Sequence, residues 1–295
     1  METMLSLSSM SHQSRLVAQT ISLLCGWVYV SLWTISYYPQ PLLNRQRQST
    51  EGYAFDYPIL NVFGSLCYTT GTTLLYYSPL VRREYALRHP ANPEPTVRFN
   101  DVVYGLHSVA VTATTLSQFW PSLWGWSKPA LRKPSKVTIS IVAAGFICLL
   151  IAISIAFMQE TFHRHELVRA SFIWLDVVYT LTYIKLAITL GKYMPQISMN
   201  YRRQSTSGFA ITGVTQDFVG GLLSLAQLLI DSSLQADWTG LTGNPIKLGL
   251  ANVSMVADVV FMVQHYVLYG DMGGGGGHTV EEQEDVERER EPLLG

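Results

Sequence analysis

The chain has 295 residues, of which 48% are hydrophobic and 14% charged, with a net charge of −1 and a mean hydropathy of +0.19. Lysines and arginines are scattered rather than gathered on one stretch, which excludes a nucleic-acid binder built on a basic face. The charges are confined to short stretches between apolar runs, and about 20 apolar residues cross ~30 Å of hydrocarbon, so an all-α membrane protein is expected.

In chain order, seven segments are long and apolar enough to be read as spans: Leu16 to Tyr38, Tyr53 to Leu80, Phe99 to Trp124, Val137 to Met158, Val168 to Tyr193, Phe209 to Ile230 and Ile246 to Tyr269. Residues 1–15 form a short polar leader, and the first apolar run is too long for a signal-peptide core. Residues 271–295 hold five consecutive glycines and an acidic block, a composition that cannot bury a core and is expected to be disordered. Seven crossings put the termini on opposite sides. The loop holding Lys128, Arg132, Lys133 and Lys136 lacks acids, which favours a luminal N-terminus and a cytosolic C-terminus.

An internal repeat organises the spans. Pro39-Gln40 recurs as Pro195-Gln196, Asn44 as Asn200, and Gln48 to Gly52 as Gln204 to Gly208, all at an offset of 156. The same offset sets Asn61 opposite Asp217, and one residue further Asp101 matches Asp258, with His107 and His265 trailing. Residues 16–124 therefore repeat as 168–270, and 125–167 supply a linker with the fourth span. Two parallel three-helix bundles joined by one helix form a 3+1+3 scaffold, with a solute site expected between the halves.

Polar groups inside apolar spans cost about 2.5–3.5 kcal/mol each on insertion scales, so they face a wet cavity or a partner. Asn61, Asp101, His107, Asp176, Lys185, Asp217, Asp258 and His265 are such groups. Asp217 lies beside Gly220 and Gly221, which allow close helix approach around a narrow cavity. Asp101 and Asp258 are each followed by two valines, a setting suited to a carboxylate that takes up and releases a proton. Helical spacing puts His265 two turns from Asp258 on one face, and points Asp176 and Lys185 in opposite directions. Asp176 has no repeat partner and reads as solvated at a span end. Pro39 and Pro195 at span ends, each followed by Gln40 or Gln196, read as hinges of a gate, or simply as helix ends.

Cys25, Cys67 and Cys148 lie in spans without CxxC spacing and read as small buried hydrophobes. His163 and His165 lack further ligands for a metal. Neither a metal nor any other cofactor is expected, and without a nucleophile–base pair an enzyme is not expected either.

The segments Tyr37-Tyr38-Pro39-Gln40 and Lys192-Tyr193-Met194-Pro195-Gln196, each followed by an asparagine and Ser-Thr-x-Gly, resemble the duplicated signature of the PQ-loop transporter family. Tyr183 to Ala187, Gln216 to Gly221 and Asp258 to His265 are similar to its cystine-exporting members. That resemblance implies proton-coupled export of cystine from a lysosome or vacuole by alternating access, with cystine, protons and the bilayer as partners. It implies substrate contact by Asn61, Lys185, Asn200 and Asp217, and proton handling by Asp101, Asp258, Asp217 and His265. An asparagine contact is expected at position 213, where Gly213 stands. Glu289, Leu293 and Leu294 resemble an acidic dileucine signal for a cytosolic sorting adaptor. Alternatives are another solute in the same scaffold, a cationic amino acid or a sugar, and a seven-span receptor without transport.

Overall fold

The computed structural model describes residues 12–90, 93–95, 97, 99–126, 133–162, 172–235 and 245–269. The acidic tail with Glu289, Leu293 and Leu294, and the loop histidines 163 and 165, lie outside them. All regular elements among the described residues are helical. The first repeat comprises α1 (His12–Ile35), the short α2 (Pro39–Arg47), α3 (Asp56–Tyr77), α4 (Pro79–Arg88), α5 (Phe99–Ser117) and the single turn α6 (Pro121–Trp124). The linker α7 (Lys136–Phe162) leads to α8 (Trp174–Gly191), the short α9 (Met194–Arg203), α10 (Ile211–Gln235) and α11 (Pro245–Val263). A π-helical turn, Gln264–Leu268, continues α11.

Seven of these helices have 18 residues or more, each roughly 27 Å or longer at 1.5 Å per residue. Segments in α1, α7 and α10 are long and apolar enough to cross a membrane by composition alone. The others include α3 and α5, where buried Ser65, Thr69, Thr72, Ser108 and Thr112 lower the mean hydropathy, and Thr69, Thr72, Ser108 and Thr112 bond carbonyls of their own turns. The outer faces of α1 and α7 carry exposed Trp27, Leu23, Phe146 and Leu150, the surface that lipid would cover. Cys148 is exposed on that outer face rather than buried, because only the α3 and α8 side of α7 packs inward.

The repeats pack by exchange. α1 of the first lies along α10 of the second, and α8 of the second lies along α3 of the first, so the two seams are images of each other. Lipid is as apolar as leucine, so such seams depend on close packing and hydrogen bonds rather than on water exclusion. At the α1–α10 seam a Cβ on Gly213 would stand 2.8 Å from the Ser36 carbonyl oxygen. The asparagine expected at 213 has no room in this conformation.

Each Pro-Gln segment begins a short helix. Pro39 and Pro195 occupy first-turn positions, where a missing N–H breaks no hydrogen bond, so they mark a chain break after α1 and α8 rather than a kink within a helix. Both short helices end in a left-handed glutamine, Gln48 (φ 46°) and Gln204 (φ 50°), and both loops then turn through Gly52 (φ 92°) and Gly208 (φ 91°). The backbone thus repeats at the offset of 156 that the sequence shows.

Candidate functional site at the crossing of the repeats

A cavity of about 120 Å³ lies where the seams cross, walled by α1, α3, α5, α10 and α11. Polar side chains line it: Tyr37, Tyr57, Asn61, Tyr104, Lys192, Asp217 and Asp258, with Trp33 at one edge. Lys192 lies between α8 and α9, and its Nζ donates to Asn61 Oδ1 at 3.1 Å. The ammonium also stands over the rings of Tyr193 (4.8 Å) and Tyr57 (5.6 Å), a cation–π arrangement that holds a charge away from bulk water. Opposite it the Asp217 and Asp258 carboxyls hydrogen-bond to each other. Asp258 is 2% exposed and its Oδ2 has no partner. Trp33 Nε1 donates to the Asp217 carbonyl at 3.3 Å, fixing α10 against α1 at this level. One cation and a contacting acid pair therefore face a shared space, a set that can bind a dipolar solute and hold a proton.

The end of the cavity nearest the short helices is closed by a reciprocal lock. Gln40 of the first repeat donates to the Gly208 carbonyl (2.9 Å) and accepts from Ala210 N (2.8 Å) in the second. Gln196 of the second donates to the Gly52 carbonyl (3.0 Å) and accepts from Ala54 N (2.7 Å) in the first. Behind each glutamine stands its asparagine: Gln40 donates to Asn44, and Gln196 to Asn200, both at 2.8 Å. Asn44 in turn donates to Gln118 (2.7 Å) and Asn200 to Gln264 (3.0 Å). Gln118 and Gln264 then return to the carbonyls of Pro41 and Ile197. Tyr53 stacks on Phe209, ring centroids 6.3 Å apart, and Phe209 rests on Phe261, so an aromatic plug backs the polar lock.

The sequence-predicted residues separate accordingly. Asn61, Asp217 and Asp258 meet in the cavity. Lys185 is not among the lining residues and lies beside Gly64, whose Cβ would come within 3.6 Å of its Nζ. Asn200 is wholly buried in the lock rather than facing the cavity. Gln40 reaches both cavity and lock, whereas Gln196 belongs to the lock. His265 accepts or donates at the Thr206 hydroxyl (2.6 Å), because the π turn from Gln264 shifts it off the face of Asp258. His107 meets Tyr38 OH at 2.7 Å, and its Nδ1 has no partner.

Asp101 occupies the first turn of α5 and does not line the cavity. The equivalence of Gln118 with Gln264, an offset of 264 − 118 = 146, makes Thr112 the counterpart of Asp258, and both line the cavity. The alignment of Asp101 with Asp258 is therefore corrected. The two differ by eleven residues, about 16 Å along a helix. Asp176, read as solvated, instead pairs with Arg88 across the repeats. Lys192, Tyr57, Gln118 and Gln264 escaped the sequence reading. Lys192 had a visible signal, since it immediately precedes the second Tyr-Met-Pro-Gln.

Comparison with known proteins agrees with this geometry. A family model described as "PQ loop repeat" matches residues 21–81 and 177–237, two stretches separated by 177 − 21 = 156. The chain is 37% identical to Cystinosin of Drosophila melanogaster over 84% of its own length and 58% of that protein. It is 34% identical to the Cystinosin homolog of Arabidopsis thaliana, over 91% of this chain and 92% of the relative. A Saccharomyces cerevisiae protein named "Cystine transporter" is 26% identical over 82% of this chain and 92% of its own length. The chain thus spans between about half and nearly all of the relatives it matches. On the duplicated Pro-Gln architecture and this extent of identity, it belongs to the cystinosin family of PQ-loop proteins.

Proposed function

We propose that this chain carries cystine with protons from the acidic lumen of a lysosome or vacuole to the cytosol, by alternating access of its two repeats. In this reading it crosses the membrane seven times, with its N-terminus luminal and its C-terminus cytosolic. The observation that carries it is the enclosed space where Lys192 faces Asp217 and Asp258. Cystine has two carboxylates and two ammonium groups, and a desolvated site for it needs both signs of charge. Lys192, with Asn61 beside it, holds a carboxylate, while Asp217 holds the opposite end. Asp258, in contact with Asp217, shares the transported proton, since an acid pair at hydrogen-bond distance retains one proton between them. The names borne by the relatives support the solute assignment.

Asp101 would serve at the luminal mouth as a second proton site. Lys185 acts on the cavity through its charge, and Asn200 and His265 through the second short helix. Pro39, Gln40, Pro195 and Gln196 form the cytosolic gate, and Glu289, Leu293 and Leu294 address the protein through a sorting adaptor. The test is uptake of labelled cystine into proteoliposomes under imposed pH gradients. Acid on the loading side accelerates flux in the parent, and Asp258→Asn abolishes that acceleration. Faster flux of labelled lysine or glucose than of cystine would reassign the solute, and binding without flux would make the protein a receptor.

A further inference from the structure

A second cavity, of about 490 Å³, opens at the Pro-Gln end of the molecule, between α9, the start of α3 and the start of α7. Its apolar wall combines buried Leu60, half-buried Ile141 and Met199 and exposed Val137, and its rim carries Lys133 and Arg202. Lys136 adjoins it as the first residue of α7. The three cations are exposed and form no ion pair among the described residues. The one acid lining the groove, Asp56, is engaged by Ser135 N at 2.7 Å.

The lining of the groove is not duplicated in the sequence of the other repeat. The linker α7 is unduplicated, and at the offset of 156 Arg202 corresponds to Gln46 and Ser198 to Leu42. Cations thus gather where an apolar wall meets the end of the spans, the layout that suits a phosphate above a hydrocarbon chain. Helix α9 divides its faces accordingly. Met194, Pro195, Ser198, Met199 and Arg202 line the groove, whereas Gln196 and Asn200 turn into the lock. Ala54, which lines the groove, is also the donor to Gln196.

We infer that this groove seats an anionic phospholipid of the adjoining leaflet, its phosphate at Lys133 and Arg202 and one acyl chain along the apolar wall. The lipid braces α9 from outside and so stabilises the locked state. This inference does not depend on which solute the central cavity takes.

The full chain is reconstituted in nanodiscs of phosphatidylcholine, with or without phosphatidylserine, and followed by thermal unfolding and native mass spectrometry. Phosphatidylserine raises the melting temperature by about 3–5 °C and is retained as an adduct. Lys133→Gln with Arg202→Gln weakens retention about 30-fold, as expected for two cations at a membrane surface. Arg45→Gln, which removes a charge at the same end without touching the groove, leaves retention unchanged. Water-soluble glycerophosphoserine gives no shift, because the chain-binding wall goes unused. The inference is overturned if the double variant retains the lipid, or if Arg45→Gln loses it equally, which would mean general surface attraction. An absence of any adduct in the parent also overturns it.

Discussion

Lys192 carries the only ammonium among the residues lining the central cavity, and its charge is held by Asn61 and two aromatic rings rather than by a carboxylate in direct contact. A hydrogen bond to a charged group contributes about 1.5–3 kcal/mol. Lys192→Gln keeps a donor for Asn61 but removes the charge, so it should raise the KM for cystine by roughly 10-fold to 150-fold. Lys185→Gln should change KM far less, since Lys185 lies behind Gly64. The concentration dependence of uptake at fixed pH separates the two, and an equal effect of both would return Lys185 to the site. Asn61, Asp217 and Asp258 were legible in the sequence because a polar group inside an apolar run demands an explanation. Lys192 was not, because a lysine at a span end looks like an interfacial anchor whose charge reaches water. Asn200 misled for the opposite reason, since its partners Gln196 and Gln264 consume its amide within the protein.

At the scale of elements, α4 acts as a clasp from the first repeat onto α8 of the second. Arg88 grips Asp176 through two contacts, of 2.5 Å and 3.0 Å, and Asp176 also accepts from Ile173 N. His89 meets Tyr179 OH at 2.8 Å, Leu175 N donates to Glu84 at 2.8 Å, and Val81 packs on Leu175 and Val178 beneath them. Burial raises the Glu84 carboxyl above the ordinary carboxylate range, against the opposing pull of the Leu175 and Trp174 N–H groups and of Arg88. A carboxyl raised in the folded state favours folding most where it is protonated, below its unfolded value, and loses that contribution as pH rises through its folded value. The contribution of Glu84 to the clasp is therefore greatest in acid. Glu84→Gln, which stays neutral and keeps an acceptor for Leu175 N, should leave the melting temperature unchanged in acid and raise it at neutral pH. A parallel displacement at every pH would show that burial of this carboxyl is not coupled to stability. Arg88→Ala should destabilise at every pH tested, by about 1–3 kcal/mol, since it strips Asp176 of its cation; an unchanged unfolding midpoint would reduce the pair to a surface contact.

The repeat in the sequence foretold that the segments from Pro39 to Gly52 and from Pro195 to Gly208 would be built alike, but not that each forms a short helix ending in a left-handed glutamine and a glycine turn. It did not foretell the clasp, which joins residues 88 positions apart that the repeat does not duplicate. Nor did it align α5 with α11 correctly, since the only marker of their true register is a pair of glutamines in dissimilar surroundings.

For the molecule as a whole, the exchange of glutamines makes each half the other's latch, so any opening at this end must break both Gln40 and Gln196 from their partners together. The two loops press together at the centre of the lock: a Cβ on Gly52 would lie 1.8 Å from the Ser207 carbonyl oxygen, and one on Gly208 would lie 1.9 Å from that of Glu51. Gly52 also holds a φ of 92°, which an L-residue adopts only with strain. Gly52→Ala is thus incompatible with the closed loops but not with a state in which they have parted. Strain of about 1–3 kcal/mol applied to one state alone shifts the balance toward the other by roughly fivefold to 150-fold. A cysteine at Ala210, which lines the cavity beside the lock, reports that shift in a background without Cys25, Cys67 and Cys148. A membrane-impermeant thiol reagent added from the Pro-Gln side should label Ala210→Cys slowly in the parent and at least about tenfold faster with Gly52→Ala. Gly125→Ala, at a left-handed glycine with nothing within 4 Å of its Cβ position, carries the backbone strain without the collision and should leave labelling unchanged. Equal labelling in all three would mean that the cavity opens at this end without parting the loops, and the latch would then be a fixed joint of the scaffold.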